Sequence, residues 1–561
     1  MSLKYAKILI LWASCLCPLG LQAELNALIP MPQQVQEGQG EFLLTDGLTI
    51  GYNHKSLRPA AEYLKDKLAT ATGYGVRVKK GSGTISLQLA GQRNDADESY
   101  TLTADGSGVH VTAAGYKGII HGISTLRQLL PHEVESARAQ TAVKWSVPYV
   151  KIKDRPSYEW RGLMLDPARH FYTMDETKRF LDMMCLYKFS KFHWHLIDTQ
   201  AWRIEIKKYP LLTQKGAWRN PNREKIDYGS EMCAQEWNDP NMHLPQNLIR
   251  VENGDTLYGG YYSQKEIGEI VAYAAVRGID VVPEIDFPGH NHKATRCYDW
   301  LSCHRDGLDP LCVGKDSVIK FCQDVYKEIF KLFPYEYVEI GGDEVRRYRW
   351  ETCPNCQARI RREGLKDITE LQAWFTRTME KYFNRHGRML IGWDEILEGG
   401  VSRTATVNWW RGYKAGVVQK ATDGGNQVIC CPTTFCYFDY AQDDSTLQKL
   451  YEGNIVPAQL TPAQLRLVKG MQANIWGEYI PTEARMQFMV FPRALALAEK
   501  AWNTTTLRPW TQFAATLTDH LPRLQAMGVN YRPLKAGFTN GFNTRPVHLR
   551  TTETPLNKPK K

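Results

Sequence analysis

Two acidic residues stand side by side in the segment YVEIGGDEV, residues 337–345, where a β-rich run ends in two glycines. Carboxylate pairs cleave glycosidic bonds when they lie about 5–5.5 Å apart for retention, or about 6.5–9.5 Å apart for inversion. Both geometries place the acids on opposite sides of the bond, which adjacent residues do poorly. The adjacency of Asp343 and Glu344 therefore predicts that one acid serves the leaving group and the other holds something that the substrate supplies.

A second pair of the same kind lies in GWDEI, where Asp394 and Glu395 also follow an apolar run. Gly341 and Gly342 leave space beside the first pair. The residues alone do not decide between the two pairs.

Polar and aromatic side chains recur where apolar runs end. Carboxylates can protonate and position a sugar, and aromatic rings can stack on its faces, so the pattern predicts a glycoside hydrolase. The residues are Asp166, Arg169, His195, Asp198, Glu284, Asp286, His290, Trp393, Trp409, Trp410, Tyr437, Asp439, Trp476 and Glu478.

The elements that must position these residues alternate strand and helix through 155–505. Eight candidate strands predict an α/β fold, a (β/α)₈ TIM barrel whose site lies at the strands' carboxyl ends. An open doubly wound sheet is the alternative, but no GxGxxG turn follows the first strand. The excess length falls in loops after strands, notably 199–262.

The chain before the barrel, 24–150, shows short alternating strands and two helical patterns, which predict a small α+β domain. Residues 506–532 are expected to form a helical extension of the barrel. Residues 533–561 are expected to form a basic, partly disordered tail.

The first 23 residues have a basic start, a short apolar stretch and a small residue at position 23, which is the pattern of a signal peptide. A membrane anchor is the alternative, but the apolar run is short for one. We therefore expect export to the periplasm or beyond, without stable membrane insertion.

The formal charge of +10 falls to +8 without Lys4 and Lys7, and 534–561 holds six Lys or Arg against one Glu. The body is therefore near neutral. No patterned basic stripe with aromatics is present, so we expect no nucleic-acid partner.

Two groups of cysteines stand out for an exported chain. Cys303 and Cys312 bracket a short loop and are the preferred disulfide pair. Cys353 and Cys356 form a lone CxxC, for which zinc would need two further ligands. We therefore expect a local disulfide or free thiols there, and no metal.

Seven motifs in order resemble the β-N-acetylhexosaminidases of glycoside hydrolase family 20. They are RGLMLDPARHFY, HWHLIDTQAWRIEI, VVPEIDFPGH, YVEIGGDEV, IGWDEI, YFDY and NIWGE, and they span about 155–505. LIPMPQQV and GIIHGISTLRQLL resemble the family's small accessory domain.

The resemblance implies that Glu344 protonates the glycosidic oxygen and later acts as base. It also implies that Asp343 orients the substrate's 2-acetamido group, whose oxygen attacks the anomeric carbon to form an oxazolinium intermediate. Well-oriented intramolecular attack reaches effective molarities of about 10⁵–10⁸ M, so the protein need not supply a nucleophile. Asp394 and Glu395 would then have supporting roles.

The resemblance also implies a substrate-binding set: Arg169, Asp198, His290, Trp393, Trp409, Tyr437, Asp439, Trp476 and Glu478. Arg169, Asp439 and Glu478 would hold sugar hydroxyls, Tyr437 would donate to the acetamido oxygen, and the tryptophans would box the acetamido methyl. Asp198 and His290 would form a relay that adjusts Glu344. Of the neighbours Trp409 and Trp410, Trp409 is preferred as the pocket residue, although strand alternation does not decide which of the two points inward.

The implied activity is that of an exo-acting, retaining β-N-acetylhexosaminidase, which removes terminal GlcNAc or GalNAc from glycans without a cofactor. A disaccharide-releasing enzyme of the same family, similar to a lacto-N-biosidase, is one alternative. A catalytically silent glycan-binding barrel is another, although Asp343, Glu344 and Tyr437 argue against it. Thr199 and Ala201 depart from the family's pattern, and the loop after Asp439 lacks a tryptophan that some members use beyond the cleaved bond.

Overall fold

The computed structural model describes residues 27–504 and 507–544. The predicted signal peptide, residues 1–23, lies outside the described residues, as do residues 545–561 of the predicted basic tail. Within the described ranges, no helix is both long and apolar enough to span a bilayer.

The first domain is a mixed seven-stranded sheet with helices packed on it. Its strands are β1 (Gln34–Leu43), β2 (Thr49–Tyr52), β3 (Arg77–Lys80), β4 (Ile85–Leu89), β5 (Tyr100–Asp105), β6 (Gly108–Ala113) and β7 (Ser146–Asp154), in the spatial order β1-β7-β5-β6-β4-β2-β3. Its α-helices are Arg58–Thr72 and Tyr116–Leu129. The alternating burial of β5 and β6 shows that one face of each strand packs on the helices.

The second domain is a closed barrel of eight parallel strands, and the predicted fold class is confirmed. Its strands are β8 (Trp160–Leu165), β9 (Lys191–His195), β15 (Asp280–Glu284), β16 (Tyr337–Glu339), β17 (Met389–Trp393), β18 (Thr406–Trp409), β19 (Gln427–Cys430) and β20 (Val468–Ile475), and β20 pairs with β8. Nearly every residue of these strands is buried, as expected for a sheet covered on both faces.

Helices follow the barrel strands, and two of the longer ones begin with a capping box. Thr173 and Ser263 each form a reciprocal capping box with the glutamate three residues later. The helices of six or more residues are Met174–Leu186, Lys225–Glu236, Gln264–Val276, His292–Cys297, Asp316–Leu332, Pro354–Glu363, Ile368–Arg385, Val417–Asp423, Thr446–Glu452, Glu483–Val490, Arg493–Trp502 and Trp510–Ala526.

The long loop after β9 carries short strands of its own. These are β10 (Ile197–Asp198), β11 (Ala201–Trp202), β12 (Trp218–Arg219), β13 (Ile249–Glu252) and β14 (Asp255–Gly259). The buried guanidinium of Arg203 donates to four backbone carbonyls around it, including those of Pro167 and Ala217. This arginine therefore fixes the loop to the segment that follows β8.

A buried polar network joins the two domains. The Asp154 carboxylate, at the end of β7, accepts hydrogen bonds from Tyr100 at 2.7 Å, Lys188 at 3.1 Å and the Trp502 indole at 2.9 Å. Because buried charges need such partners, these contacts fix the small domain against the barrel.

The expected disulfide between Cys303 and Cys312 is not formed, and neither residue is bonded to another cysteine. The reason is that the segment with Cys353 and Cys356 folds against the same loop. The four sulfur atoms lie within 4.8 Å of one another. Pairing within the short loop is therefore replaced by one four-cysteine cluster.

Candidate active site

A cavity opens among the carboxyl ends of the barrel strands, where the barrel fold places active sites. Its lining residues are Arg169, His290, Asp343, Glu344, Trp393, Trp410, Tyr437, Asp439, Tyr440, Trp476, Glu478 and Phe542. The structure thus brings together every predicted site residue except Asp198 and Trp409.

The two glycines after β16 bring the acidic pair to this cavity. Gly341 has a φ of 72°, and a Cβ at this position would lie 2.1 Å from the Asp286 carboxylate. The Gly342 N–H donates to the same carboxylate at 3.2 Å. A side chain at Gly341 is therefore excluded, and the chain turns sharply before Asp343.

Asp343 and Glu344 occupy different environments although they are neighbours. The Asp343 side chain is 13% exposed, whereas that of Glu344 is 62% exposed. Glu344 has a φ of 46°, which is unusual for a residue with a side chain and turns it toward the mouth of the cavity. One acid therefore lies inside the cavity and the other lies at its opening.

Asp343 has few contacts with the protein. Its Oδ2 lies 3.5 Å from Nε2 of His290, and its buried Oδ1 has no hydrogen-bond partner within the described ranges. Burial raises the pKa of Asp343 to about 6, the carboxylates of Glu284 and Glu344 add to the rise, and the attraction of His290 opposes it. A buried acceptor without a donor is ready to receive one from a ligand.

His290 is held behind both acids by a chain of hydrogen bonds. Its Nδ1 donates to Asp198 at 3.1 Å, and the other oxygen of Asp198 accepts from His195 at 3.1 Å. Its Nε2 lies 3.5 Å from Asp343 and 3.8 Å from Glu344. Burial opposes the charged form, but the Asp198 carboxylate raises the pKa of His290 well above its usual range, so the ring is an imidazolium.

Asp198 lies behind the cavity and not on its wall. One of its oxygens lies 2.8 Å from the Arg169 guanidinium, and both oxygens contact histidines. Although burial opposes ionisation, Arg169 and His290 hold the pKa of Asp198 well below its usual range. Asp198 therefore positions His290 and Arg169, instead of contacting a ligand in the cavity.

Another part of the cavity lining carries one guanidinium and two carboxyl groups. Arg169 pairs with Asp166 at 2.8 Å and approaches Glu478 at 3.5 Å. Asp439 and Glu478 each have one buried oxygen without a hydrogen-bond partner in the described part of the chain. Burial raises the pKa of both groups. The two carboxyl groups can accept hydrogen bonds from sugar hydroxyls, while Arg169 can donate to hydroxyl oxygens.

Aromatic rings close the inner end of the cavity. The rings of Trp393 and Trp476 lie 5.7 Å apart, and Tyr437 lies 6.3 Å from Trp476 and 6.2 Å from Trp410. The Trp393 indole donates to Glu284 at 2.8 Å, which fixes its orientation. Burial raises the pKa of Tyr437 well above its usual range, so its hydroxyl remains a hydrogen-bond donor.

The preference for Trp409 is corrected, since Trp410 lines the cavity. Trp410 lies just after β18, and its indole donates to Glu395 at 2.9 Å while its ring stacks on Tyr437. Trp409, the last residue of β18, packs in the hydrophobic core, and its indole donates to the Arg411 carbonyl at 3.3 Å. The strand ends between the two residues, so alternation alone could not assign their directions.

Asp394 and Glu395 do not line the cavity. Asp394 is fully buried, accepts from the backbone N–H groups of Trp410 and Arg411, and pairs with the Arg411 guanidinium. Burial raises the pKa of Asp394, despite Arg411, and raises that of Glu395 to about 8. This pair braces the loop that carries Trp410.

Sequence reasoning missed two aromatic residues at the cavity mouth. The rings of Tyr440 and Phe542 stack at 6.0 Å with an interplanar angle of 10°. Phe542 falls in the segment expected as a solvated tail, but its N–H donates to the Asp439 carbonyl at 2.9 Å. The aromatic residues in GFTNGFN were the available signal, since a fully solvated tail has no need of them.

Several acidic and histidine groups at the barrel mouth lie close enough to hold a cation. One such group is Asp198, Asp286 and His290, and another is His290, Asp343 and Glu344. In both groups the His290 imidazolium supplies the positive charge. A protonated imidazole has no free lone pair for a metal.

A parallel barrel with one sheltered and one exposed carboxylate in an aromatic pocket defines a class of protein, the barrel glycoside hydrolases. The comparisons with known proteins agree. Residues 158–505 match the model of the glycosyl hydrolase family 20 catalytic domain, and residues 26–155 match the model of domain 2 of the same family. The chain belongs to glycosyl hydrolase family 20, and the predicted family and enzyme class are confirmed.

Named relatives are similar to most of this chain. A β-hexosaminidase of Porphyromonas gingivalis is 37% identical over 544 residues, which cover 92% of this chain and 66% of the relative. A β-hexosaminidase of Vibrio furnissii is 32% identical over 85% of this chain and 77% of its own length. The crystal structure of an exo-β-N-acetylglucosaminidase from Vibrio harveyi in complex with N-acetylglucosamine superposes with a TM-score of 0.76 at 29% identity, covering 91% of this chain and 79% of that one.

Proposed function

We propose that the protein is an exo-acting, retaining β-N-acetylhexosaminidase that uses the substrate's own acetamido group as the nucleophile. The observation that carries the proposal is the unequal placement of the adjacent acids. Asp343 is sheltered inside the cavity, whereas Glu344 lies at the mouth. Two acids so placed serve different parts of one sugar.

Asp343 is suited to the acetamido group. Its unpaired Oδ1 can accept the amide N–H, and this hydrogen bond orients the carbonyl oxygen toward the anomeric carbon. As the oxazolinium ring closes, positive charge grows on the amide nitrogen, and the ionised carboxylate stabilises it. A preorganised charge of this kind in a sheltered site lowers the barrier because no solvent has to reorganise.

Glu344 is suited to the leaving group because it lies where the next residue of a glycan would leave the cavity. It gives its proton to the glycosidic oxygen in the first step. In the second step it takes a proton from the water that opens the oxazolinium ring, and the product keeps the β configuration. The His290 imidazolium, 3.8 Å from Glu344, moderates the charge that appears on this carboxylate.

The shape of the cavity favours a terminal sugar. Trp393 and Trp476 close the inner end, so a chain cannot continue past the bound residue. Arg169, Asp439 and Glu478 offer one cationic donor and two acceptors to the hydroxyls of that residue. Tyr437 can donate to the acetamido oxygen.

The names of the relatives support the same activity. The P. gingivalis and V. furnissii proteins are β-hexosaminidases, and the V. harveyi protein is an exo-enzyme with bound N-acetylglucosamine. The substrates proposed here are accordingly glycans with a terminal β-linked N-acetylhexosamine. We also propose export, on the signal-like residues 1–23.

Hydrolysis of chromogenic β-glycosides tests the proposal. We expect release of the chromophore from GlcNAc and GalNAc glycosides and almost none from the glucoside, which lacks the amide. NMR of the first product should show the β anomer. Cleavage only of disaccharide glycosides would indicate a disaccharide-releasing enzyme, and no cleavage would indicate a glycan-binding barrel.

A further inference from the structure

Four cysteines from two loops converge beside the active site. Cys303 and Cys312 lie in the segment between β15 and the helix Asp316–Leu332, Cys353 lies in the segment after β16, and Cys356 lies in the first turn of the helix Pro354–Glu363. All four residues are buried, with at most 6% exposure. This cluster has no part in the glycosidase chemistry described above.

The distances between the sulfur atoms match those of a metal centre. Three of the sulfur–sulfur separations are 3.5 Å for Cys312 and Cys353, 3.7 Å for Cys312 and Cys356, and 3.9 Å for Cys303 and Cys356. Four thiolates bound tetrahedrally to Zn²⁺ at about 2.3 Å lie about 3.8 Å from one another. In a disulfide, the two bonded sulfur atoms would lie about 2.05 Å apart.

The backbone around the cluster is shaped to hold anionic sulfur. Cys353 occupies the N-cap position of the helix Pro354–Glu363, where the helix dipole favours negative charge. A Cβ on Gly314 would lie 2.4 Å from the Cys356 nitrogen, so the glycine allows the turn after Cys312 to pack on the CxxC turn. Both pairs of cysteines thus sit on closely packed turns.

We propose that Cys303, Cys312, Cys353 and Cys356 bind a structural Zn²⁺ ion that fastens the two loops together. All four positions are filled by protein sulfur, which is the arrangement of a closed structural site and not of a catalytic one. The CxxC motif found in the sequence gains its two missing ligands from a loop 41 residues earlier.

The cysteine cluster lies on the two segments that carry His290 and the acidic pair. The first loop contacts the segment that carries His290, because the Leu311 N–H donates to the Pro288 carbonyl at 3.0 Å and Asp309 accepts from the Asn291 N–H at 2.8 Å. The second loop follows Asp343 and Glu344, and its Trp350 donates to the Leu311 carbonyl at 3.0 Å. Zinc would therefore hold the loops of the acidic pair and of the histidine in register.

Metal analysis of the full untagged chain, purified without chelator, tests the proposal. We expect one zinc ion per chain by inductively coupled plasma mass spectrometry, and stoichiometric release when a mercurial reagent blocks the thiols. The double variant Cys353→Ser/Cys356→Ser should lose the zinc. Cys297→Ser, a half-buried cysteine near the cluster but outside it, should retain it.

Two further measurements on the wild-type chain make the test independent of whether the variant folds. Protein produced with Co²⁺ should show the intense visible bands of a tetrahedral thiolate site. Alkylation in denaturant with chelator and without reductant should label all four cysteines. Wild-type protein without zinc would overturn the proposal, whether the four cysteines are paired as two disulfides or hold iron.

Discussion

The two Asp–Glu pairs of this barrel have the same composition and follow neighbouring strands, yet the fold uses them differently. Asp343 follows β16, contacts only His290 closely and keeps one buried oxygen free of protein donors in the described structure. Asp394 follows β17 and is saturated by Arg411 and two backbone N–H groups. A carboxylate satisfied by the protein stabilises the fold, whereas an unsatisfied one is available to a substrate.

The difference arises from what surrounds each strand end. Two glycines with positive φ follow β16 and turn the chain into the cavity, where Glu344 takes a φ of 46°. After β17 the chain instead enters a short 3₁₀ helix, Asp394–Leu397, which buries Asp394. Strain is therefore found at the pair with the proposed catalytic role and not at the other.

The largest expected effect comes from the glutamates of the two pairs. Glu344→Gln should lower kcat on a substrate with a poor leaving group by about 10²–10⁴-fold, because general acid catalysis is lost. The loss should be smaller on activated aryl glycosides. The matched variant Glu395→Gln keeps a side-chain oxygen that accepts from the Trp410 indole, and its kcat should fall by less than about tenfold. Equal losses of Glu344→Gln on good and poor leaving groups would reject the assignment.

The aspartates should separate activity from stability. Asp394→Ala leaves two backbone N–H groups and Arg411 without an acceptor, so we expect a loss of about 1–3 kcal/mol in the free energy of unfolding. Asp343→Ala should abolish most activity without that loss. The pKa of Asp343 is raised by folding, so its ionised form costs stability above about pH 6, and removing it should raise Tm at neutral pH.

Thermal unfolding at several pH values checks this contrast. The rise in Tm caused by Asp343→Ala should shrink as the pH falls through about 6 toward the pKa of an unfolded aspartate. Below that lower pKa the wild-type carboxyl is protonated in both the folded and the unfolded state, so it no longer costs stability. A lower Tm for Asp343→Ala than for Asp394→Ala at neutral pH would contradict the account.

The same pKa predicts an acid limb in the rate profile. Asp343 must be ionised to stabilise the amide nitrogen, so kcat/KM should fall as the pH drops through about 6. The limb should be unchanged in Glu395→Gln. A profile of the wild-type enzyme that stays flat from about pH 7 to about pH 5 would disagree with this role.

The smallest effect concerns the two tryptophans next to the second pair. Trp410→Phe should weaken binding of the sugar product by about 3–10-fold, in line with the loss of about 1 kcal/mol of ring contact. Trp409→Phe should leave product binding nearly unchanged and lower Tm instead, because Trp409 packs in the core. Titration calorimetry with N-acetylglucosamine compares the two, and the reverse order would restore Trp409 to the pocket.

The sequence predicted the barrel well because its strands are short apolar runs that end in polar residues. β9 and β15 are examples, and each is followed within a few residues by a residue of the site. The acidic pair could be assigned only through the resemblance to a family, since the residues around Asp343 and Asp394 look alike until their hydrogen bonds are known.

Two of the failures have a common physical cause. Phe542 reaches the cavity from about 100 residues beyond Asp439, and Cys353 reaches Cys312 across 41 residues. Contacts between distant segments leave no local pattern in a single sequence. The prediction that the Trp409 side chain lines the cavity failed for a local reason, because the alternation of side chains is undefined where a strand ends.

The central claim, that the substrate supplies the nucleophile held by Asp343, is tested most directly by fluorinating the acetamido group. Fluorine on the acetyl methyl group withdraws electron density from the amide oxygen and makes the acyl group only slightly bulkier. If this oxygen attacks the anomeric carbon, kcat/KM should fall steeply from the acetyl to the mono-, di- and trifluoroacetyl substrates. A flat series, together with a trappable covalent link to Glu478 or Asp439, would contradict the account.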